Sequence, residues 1–175
     1  MVEAVKLENI SKKFEGKEIL KGINIEIKKD ESFGIFGGSG CGKTTILRII
    51  AGLERPDFGD VYLRKKKVTS DHIFVQPEER NVSFIFQDLG LWPHMSVKDH
   101  LKFVLDDSKK ISEILDACGL NSHESSKPSE LSGGEKQRLA MARAIAQKSD
   151  IFLLDEPLSR CIVSKLSNGF VFVVS

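Results

Sequence analysis

The segment Gly37-Gly38-Ser39-Gly40-Cys41-Gly42-Lys43-Thr44 decides the fold class of this chain. It follows a short apolar run at 32–36 and precedes residues 44–53, where apolar side chains recur at helical spacing. Between a strand and a helix, the pattern G-x-x-x-x-G-K-[ST] is that of a phosphate-binding loop, or P-loop. Glycines let backbone N–H groups curl around phosphate oxygens, and the N-terminus of the next helix adds partial positive charge. A glycine-rich turn without a ligand is the alternative, but pattern and context agree on the P-loop.

The side chains of the loop have distinct expected roles. Lys43 is expected to reach the β- and γ-phosphates of a nucleotide, and the Thr44 hydroxyl is expected to bind Mg²⁺. The candidate nucleotide-binding residues are the loop and the residue after it: Gly37, Gly38, Ser39, Gly40, Cys41, Gly42, Lys43, Thr44 and Thr45.

Two acids, Asp155 and Glu156, follow an apolar run at 151–154. A buried strand can hold a carboxylate rigidly near a metal bound at the P-loop. Asp155 would position Mg²⁺ or its water, and Glu156 would polarise the attacking water as a general base. A solvated acidic pair after a buried strand is the alternative. The pair narrows the expected chemistry to hydrolysis of a nucleotide phosphate.

The remaining patterns predict an α/β fold. Alternating segments at 5–10 and 23–27 predict an antiparallel layer, and the run at 82–86 predicts another buried strand. Helical spacing at 97–105 and 111–118 indicates a separate helical segment. The best-supported helix covers 132–146, because Ser132 and Glu135 form a capping-box pattern. Strands that alternate with helices favour a parallel sheet flanked by helices.

Composition limits the possible partners and compartments. The 175 residues carry a formal net charge of +1, which gives no electrostatic footprint for nucleic acid. The basic run at 64–67 is interpreted as a solvated hairpin tip. No apolar stretch approaches the roughly 20 residues of a membrane-spanning helix, and the first residues lack the pattern of a signal peptide. Three cysteines at no metal-like spacing predict reduced thiols in the cytosol.

The segment Leu131-Ser132-Gly133-Gly134-Glu135 resembles the signature sequence of ATP-binding-cassette (ABC) ATPases. The resemblance implies ATP and Mg²⁺ as cofactors and a P-loop NTPase fold: a RecA-like parallel sheet with flanking helices, an N-terminal antiparallel β layer and an inserted helical signature subdomain. It also implies that two cassettes pair head to tail, so that this segment binds the γ-phosphate held by the partner's P-loop. A plain capping box is compatible with that role. Glutamine is commoner than glutamate at the fifth position.

The same resemblance assigns roles to Gln87 and Phe14. Gln87 stands where the family has its Q-loop glutamine, which senses Mg²⁺ and the γ-phosphate. A polar residue that ends a strand is the alternative. Phe14 matches the aromatic position that stacks on adenine, with a core phenylalanine as the alternative. The expected catalytic residues are Glu156, Gln87 and Lys43, and the expected metal-binding residues are Thr44, Gln87 and Asp155.

Residues 76–80 and 89–97 look like those of cassettes that energise import of sugars, polyamines, ferric iron and other small solutes. Trp92, His94 and Met95 would suit a groove for a coupling helix of the membrane subunit, or would fill local core. The chain is then expected to be an importer subunit at the cytoplasmic face of the membrane. Its implied partners are a second cassette, identical or different, and transmembrane permease subunits. The alternatives are a soluble ABC ATPase of translation or DNA repair and a non-catalytic ATP-binding fragment.

The resemblance covers the chain up to residue 159 and then stops. We expect a nucleotide-binding domain at 1–159, with a helical subdomain at about 88–135, and a divergent tail at 160–175. The tail lacks the family's D-loop, and no histidine follows His123 to serve as its switch histidine. A premature stop after a frameshift or deletion is expected, with ATP bound but hydrolysed near background. The β-prone end of the tail either fills the sheet position between the P-loop strand and the acidic strand, or frays.

Overall fold

The computed structural model describes residues 3–155 and the backbone of residues 171–174. The strands are β1 (Glu3–Phe14), β2 (Lys17–Lys28), β3 (Ser32–Gly34), β4 (Phe58–Leu63), β5 (Lys66–Thr69), β6 (Val82–Ile85), β7 (Ile151–Leu154) and β8 (Val171–Val174). The helices are α1 (Lys43–Ala51), α2 (Val97–Lys102), α3 (Ser108–Ala117) and α4 (Gly133–Ala146). Short 3₁₀ turns lie at Pro77–Glu79, Asn121–His123 and Pro128–Glu130.

An antiparallel sheet of order β2-β1-β4-β5 opens the chain, as the alternating segments predict. Strands β1 and β2 are 12 residues each, longer than the alternation indicates. They are joined by Glu15 and Gly16, both at positive φ. The basic run turns at Arg64 and Lys65, also at positive φ, between β4 and β5. Its interpretation as a hairpin tip is therefore confirmed.

A parallel sheet of order β3-β8-β7-β6 forms the second layer. Strand β8 pairs in parallel with both neighbours, and its Val173 lies opposite Phe33 on one side and Leu153 on the other. The end of the tail therefore occupies the position between the P-loop strand and the acidic strand. Of the two fates considered for this end, insertion is the one found.

Strand β3 is shorter than the apolar run at 32–36. It ends at Gly34, which pairs with Val174, the last residue of β8. Beyond this pair no partner strand continues among the described residues, so Ile35 and Phe36 lead into the loop, and Phe36 is 93% exposed. The prediction of a strand through Phe36 is wrong by two residues for this reason.

Both faces of the parallel sheet are covered by helices. In β7, Ile151 and Leu153 pack in the core cluster that contains α1, whereas Phe152 and Leu154 pack against α4. This alternation is the period of a strand, and burial on both faces explains the unbroken apolar run. A third cluster joins α2, α3 and the other side of α4. The predicted helical segment is thus a packed unit attached through α4.

Candidate nucleotide site

The P-loop leads into α1 through Gly42, which adopts a left-handed conformation at φ 98°. A Cβ at this position would lie 2.6 Å from the Leu20 side chain, so only glycine fits without a shift. Gly42 is the N-cap residue of α1 and has no side chain with which to cap the helix. The first N–H groups of an uncapped helix carry partial positive charge and suit an anion such as phosphate.

Lys43 holds its ammonium group across the loop. Its Nζ donates to the carbonyl oxygens of Gly37 at 3.0 Å and Gly38 at 3.1 Å, and lies 3.9 Å from Cys41 Sγ. The cation is therefore held at the P-loop itself. Its predicted contact with the β- and γ-phosphates stays a prediction.

Thr44 and Asp155 meet although 111 positions separate them in the chain. The Thr44 hydroxyl donates to Asp155 Oδ1 at 2.8 Å. Asp155 is 7% exposed, and its backbone N–H donates to the Ile85 carbonyl at 3.0 Å. The hydroxyl predicted to bind a metal therefore lies against the carboxylate predicted to position it. Glu156 lies outside the described residues.

Gln87 leaves the sheet at the same edge as Asp155. The register pairs Ile85 with Leu154, so the residues that follow β6 and β7 emerge side by side at the carboxyl ends of the strands. Gln87 is exposed in the turn after β6. Ligands of open α/β sheets bind at this carboxyl edge.

Phe14 ends β1 and is 43% exposed, so the alternative of a core phenylalanine is wrong. It lines two adjoining cavities of about 210 and 270 Å³. Thr44 and Thr45 line both of them, which places Phe14 beside the P-loop. Besides Phe14, Thr44 and Thr45, the smaller cavity is lined by Ile19, Gly40, Gly42 and Lys43, and the larger cavity by Arg48 and Glu54.

The signature segment forms the N-terminus of α4, and its capping box is confirmed. Glu135 N–H donates to Ser132 Oγ at 3.4 Å, while Ser132 N–H and its hydroxyl both donate to Glu135 Oε2 at 2.8 Å. These bonds from the Ser132 backbone and side chain lower the pKa of Glu135. His123 Nε2 lies 3.3 Å from the other carboxylate oxygen. Gly133 and Gly134 follow in the first turn, and both are exposed.

A groove of about 420 Å³ runs between the parallel sheet and the helical unit. Its apolar wall includes Phe84, Phe86, Trp92 and Phe103. Arg143 also lines the groove, with its guanidinium 4.8 Å from the Trp92 ring centre. His94 and Met95, expected to face such a groove, are not among its lining residues.

Arg80 supports the helix that follows the P-loop, a structural role that the sequence does not reveal. It is 1% exposed and donates to the carbonyls of Ile49 and Ile50 at the end of α1, both at 3.0 Å. Burial lowers the pKa of Arg80 to about 10, so it stays charged at neutral pH. A cation at the C-terminus of α1 complements the helix dipole and fixes the helix that carries Lys43 and Thr44.

These elements define a class of protein. A P-loop between a strand and a helix, with its threonine bonded to a buried acid at the end of a parallel strand, is the site of a P-loop nucleotide-binding domain. The family model described as ABC transporter matches residues 20–159, and the chain belongs to that family.

Relatives and solved structures agree with this assignment. The spermidine/putrescine import ATP-binding protein PotA of Thermotoga maritima is 42% identical over 163 residues, or 89% of this chain and 43% of that protein. The trehalose/maltose import ATP-binding protein MalK of Thermococcus litoralis is 40% identical over 89% of this chain and 44% of that protein. A solved dimeric ATP-binding cassette with ADP and Pi has a TM-score of 0.81 and 32% identity, over 98% of this chain and 87% of that one. The chain spans less than half the length of these two curated relatives.

Proposed function

We propose that the chain binds Mg-ATP at the P-loop as the ATP-binding subunit of a membrane importer, with ATP hydrolysis as the driving reaction. The contact between Thr44 and Asp155 carries this proposal. The bond holds the threonine hydroxyl against a buried carboxylate beside the phosphate-binding loop. It brings together, from distant parts of the chain, the two groups that a nucleotide-bound Mg²⁺ requires.

The residues at this position fit Mg²⁺. Hydroxyl and carboxylate oxygens are the hard donors that it prefers, and Mg²⁺ in such sites is held by one or two protein oxygens together with substrate phosphates. Bound there, Mg²⁺ would neutralise charge on the phosphates. Thr44 and Asp155 would hold it, with Gln87 completing the set from the neighbouring strand end. Lys43 would bind the β- and γ-phosphates, and Glu156 would accept the proton of the attacking water.

The signature segment supports a dimeric working form. Ser132, Gly133 and Gly134 present a hydroxyl and unshielded N–H groups at a helix N-terminus, which suits the γ-phosphate of a second cassette. The dimeric solved cassette with ADP and Pi is similar to this chain over nearly its whole length. The partner would be a second copy or a related cassette in head-to-tail arrangement.

The groove lined by Trp92 and Phe103 is the proposed contact for a membrane permease subunit. Aromatic side chains and a cation that stacks on one of them are typical of the energetic centre of a protein interface. Within the part of the chain that the structure describes, no helix has the length and apolarity needed to cross a membrane. The relatives named for import support a place at the cytoplasmic face of the membrane, reached through such a permease.

Mg-ATP binding by the Lys43→Ala variant tests the proposed site. Loss of a charge-assisted bond to phosphate should weaken binding about 10- to 100-fold or more, as measured by calorimetry on folded protein. The control is Lys17→Ala, which removes an exposed lysine at the start of β2 and should bind like the wild type. Unchanged affinity of Lys43→Ala would mean that the P-loop is not the ATP site.

A further inference from the structure

Lys12 has an unusually fixed position for a lysine. Its Nζ lies 2.6 Å from Glu54 Oε1 and 3.6 Å from Asp57 Oδ1, and it donates to the Arg55 carbonyl at 2.7 Å. The side chain is only 12% exposed. Three oxygen partners on one short segment hold the ammonium group in one place, and a partly buried ion pair is screened less than an exposed one.

The fixed ammonium group lies against Phe14. Its nitrogen is 5.1 Å from the centre of the Phe14 ring, within the range of a cation–π contact. Phe14 lines both cavities beside the P-loop, whereas Lys12 lines neither. Contact between Lys12 and a molecule in these cavities would therefore be indirect, through the ring or through Glu54, which lines the larger cavity.

The segment that holds Lys12 also follows directly from α1. Residues 54–57 come just after Gly52, the C-cap of the helix that begins at Lys43. A second bond, from the backbone N–H of Lys13 to Asp57 Oδ2 at 2.7 Å, joins the same segment to β1. The end of β1 that bears Phe14 is thus tied to the helix that bears Lys43 and Thr44.

We propose that Lys12 is a positioning residue for the nucleobase: it holds the Phe14 ring at a set place relative to the P-loop and so controls recognition of the base, not of the phosphates. The inference rests on the proposed nucleotide site. Phe14 is exposed at a strand end, and an exposed ring must be immobilised when a base stacks on it. A ring already held by a fixed cation loses less side-chain freedom on binding, which is a gain from preorganisation.

Two ligands distinguish a role of Lys12 in binding the base from a role in binding the phosphates. ATP carries the base and the phosphates, whereas inorganic triphosphate carries the phosphates alone. Replacing Lys12 by methionine keeps the aliphatic length and removes the charge. The Lys12→Met variant of the 175-residue chain should bind Mg-ATP about three- to tenfold more weakly than wild type, the size of the cost of immobilising one side chain, while its affinity for Mg-triphosphate stays within about twofold.

Three further variants test whether the loss is specific to the charge of Lys12 and depends on the Phe14 ring. Lys13→Met removes the exposed neighbouring lysine and should change neither affinity. Lys12→Gln retains a donor for the Arg55 carbonyl without the charge, so it should repeat the ATP-specific loss, and it replaces the methionine variant if that variant does not fold. In a Phe14→Ala background, Lys12→Gln should cause no further loss of ATP affinity, because the ring through which Lys12 acts is gone.

The outcomes distinguish the inference from the proposed function. Equal losses for ATP and triphosphate, no loss for either, or an undiminished loss in the Phe14→Ala background would each overturn the role of Lys12 while leaving the P-loop site intact. If wild-type protein bound neither ligand, the nucleotide site itself would fail, and the role of Lys12 with it.

Discussion

At the scale of single residues, the Thr44 hydroxyl is the group whose environment is most informative. It is bonded to Asp155 at 2.8 Å, and this bond directs its proton towards the carboxylate. The lone pairs of the hydroxyl oxygen are then the part left to face a cation. Thr45, the next residue, lines the same cavities and provides a comparison with similar shape and chemistry.

Thr44→Val should remove the benefit that Mg²⁺ brings to ATP binding, because valine keeps the shape of threonine without its oxygen ligand. The measurement is the ATP dissociation constant with Mg²⁺ and with a chelator. Wild type and Thr45→Val should bind more tightly with Mg²⁺, whereas Thr44→Val should show little difference between the two conditions. A full Mg²⁺ effect in Thr44→Val would exclude Thr44 as a ligand.

Cys41 lies within the P-loop and is exposed, while Cys118 is buried. Burial raises the pKa of the Cys118 thiol, which keeps it protonated and unreactive. A maleimide should therefore label Cys41 faster than Cys118, and saturating Mg-ATP should slow the labelling of Cys41. Mass spectrometry of a Cys161→Ala variant measures both sites. Equal rates at Cys41 with and without ATP would contradict its place beside the phosphates.

At the scale of elements, the loop before α2 is held by a buried histidine. His100 Nε2 accepts from the Trp92 backbone N–H at 3.0 Å, and its Nδ1 faces the Ser96 carbonyl at 2.7 Å. These partners fix the neutral ring with its proton on Nδ1. Trp92 also stacks on the His100 ring, with centres 5.5 Å apart. The wall of the groove thus depends on an uncharged histidine.

A fall in pH should destabilise the loop before α2. Burial lowers the pKa of His100, with smaller effects in the same direction from Arg143 and His94 and opposing ones from the Ser96 carbonyl and Asp99. A histidine with a lowered pKa in the folded state contributes stability above its unfolded pKa of about 6.5 and loses it as pH falls through that value towards the folded one. The urea midpoint of the wild type should therefore decrease between pH 7.5 and 5.

The matched variants are His100→Gln, whose amide oxygen can accept from the Trp92 N–H in place of Nε2 without titrating, and His94→Asn, which removes an exposed histidine. The first should show a smaller decrease with acid than wild type, and the second should behave like wild type. The fluorescence emission of Trp92, the only tryptophan in the chain, reports directly on the conformation of this loop. If His100→Gln lost as much stability as wild type over this range, the buried ring would not be the cause.

At the scale of the whole molecule, β8 completes the parallel sheet. It pairs with β3 and β7 at once, so its backbone lies in the interior of the sheet and joins the P-loop strand to the acidic strand. The relative positions of Lys43 and Asp155 depend on this link. The boundary predicted at residue 159 between domain and tail stays a prediction.

Val173→Pro should destabilise the fold strongly. Proline removes the backbone N–H and with it a hydrogen bond of the ladder, and in sheets it is found essentially only on edge strands and at bulges. Val173→Thr, which keeps the N–H and the β-branched shape, is the control. Thermal unfolding should show a large drop in Tm for the proline variant and a small one for the threonine variant. A proline variant as stable as the control would show that β8 is not an interior strand.

Much of the site follows from the sequence because it depends on local backbone chemistry. The P-loop is recognisable since its glycines and lysine must occur at fixed spacing in front of a helix. The apolar run before Asp155 indicates a strand buried on both faces, and the Ser132 and Glu135 pair indicates the start of α4. Each of these patterns spans fewer than ten residues, so no knowledge of the remaining chain is required.

Only the tertiary structure decides which distant residues meet. The bond between Thr44 and Asp155, the ion pair between Lys12 and Glu54, and the burial of Arg80 under α1 all depend on the order of strands in the sheets. The insertion of β8 also could not be settled by its β-prone composition, which suits a strand and a frayed end equally. Local patterns determine what each segment forms, whereas non-local pairing and packing determine what it lies beside.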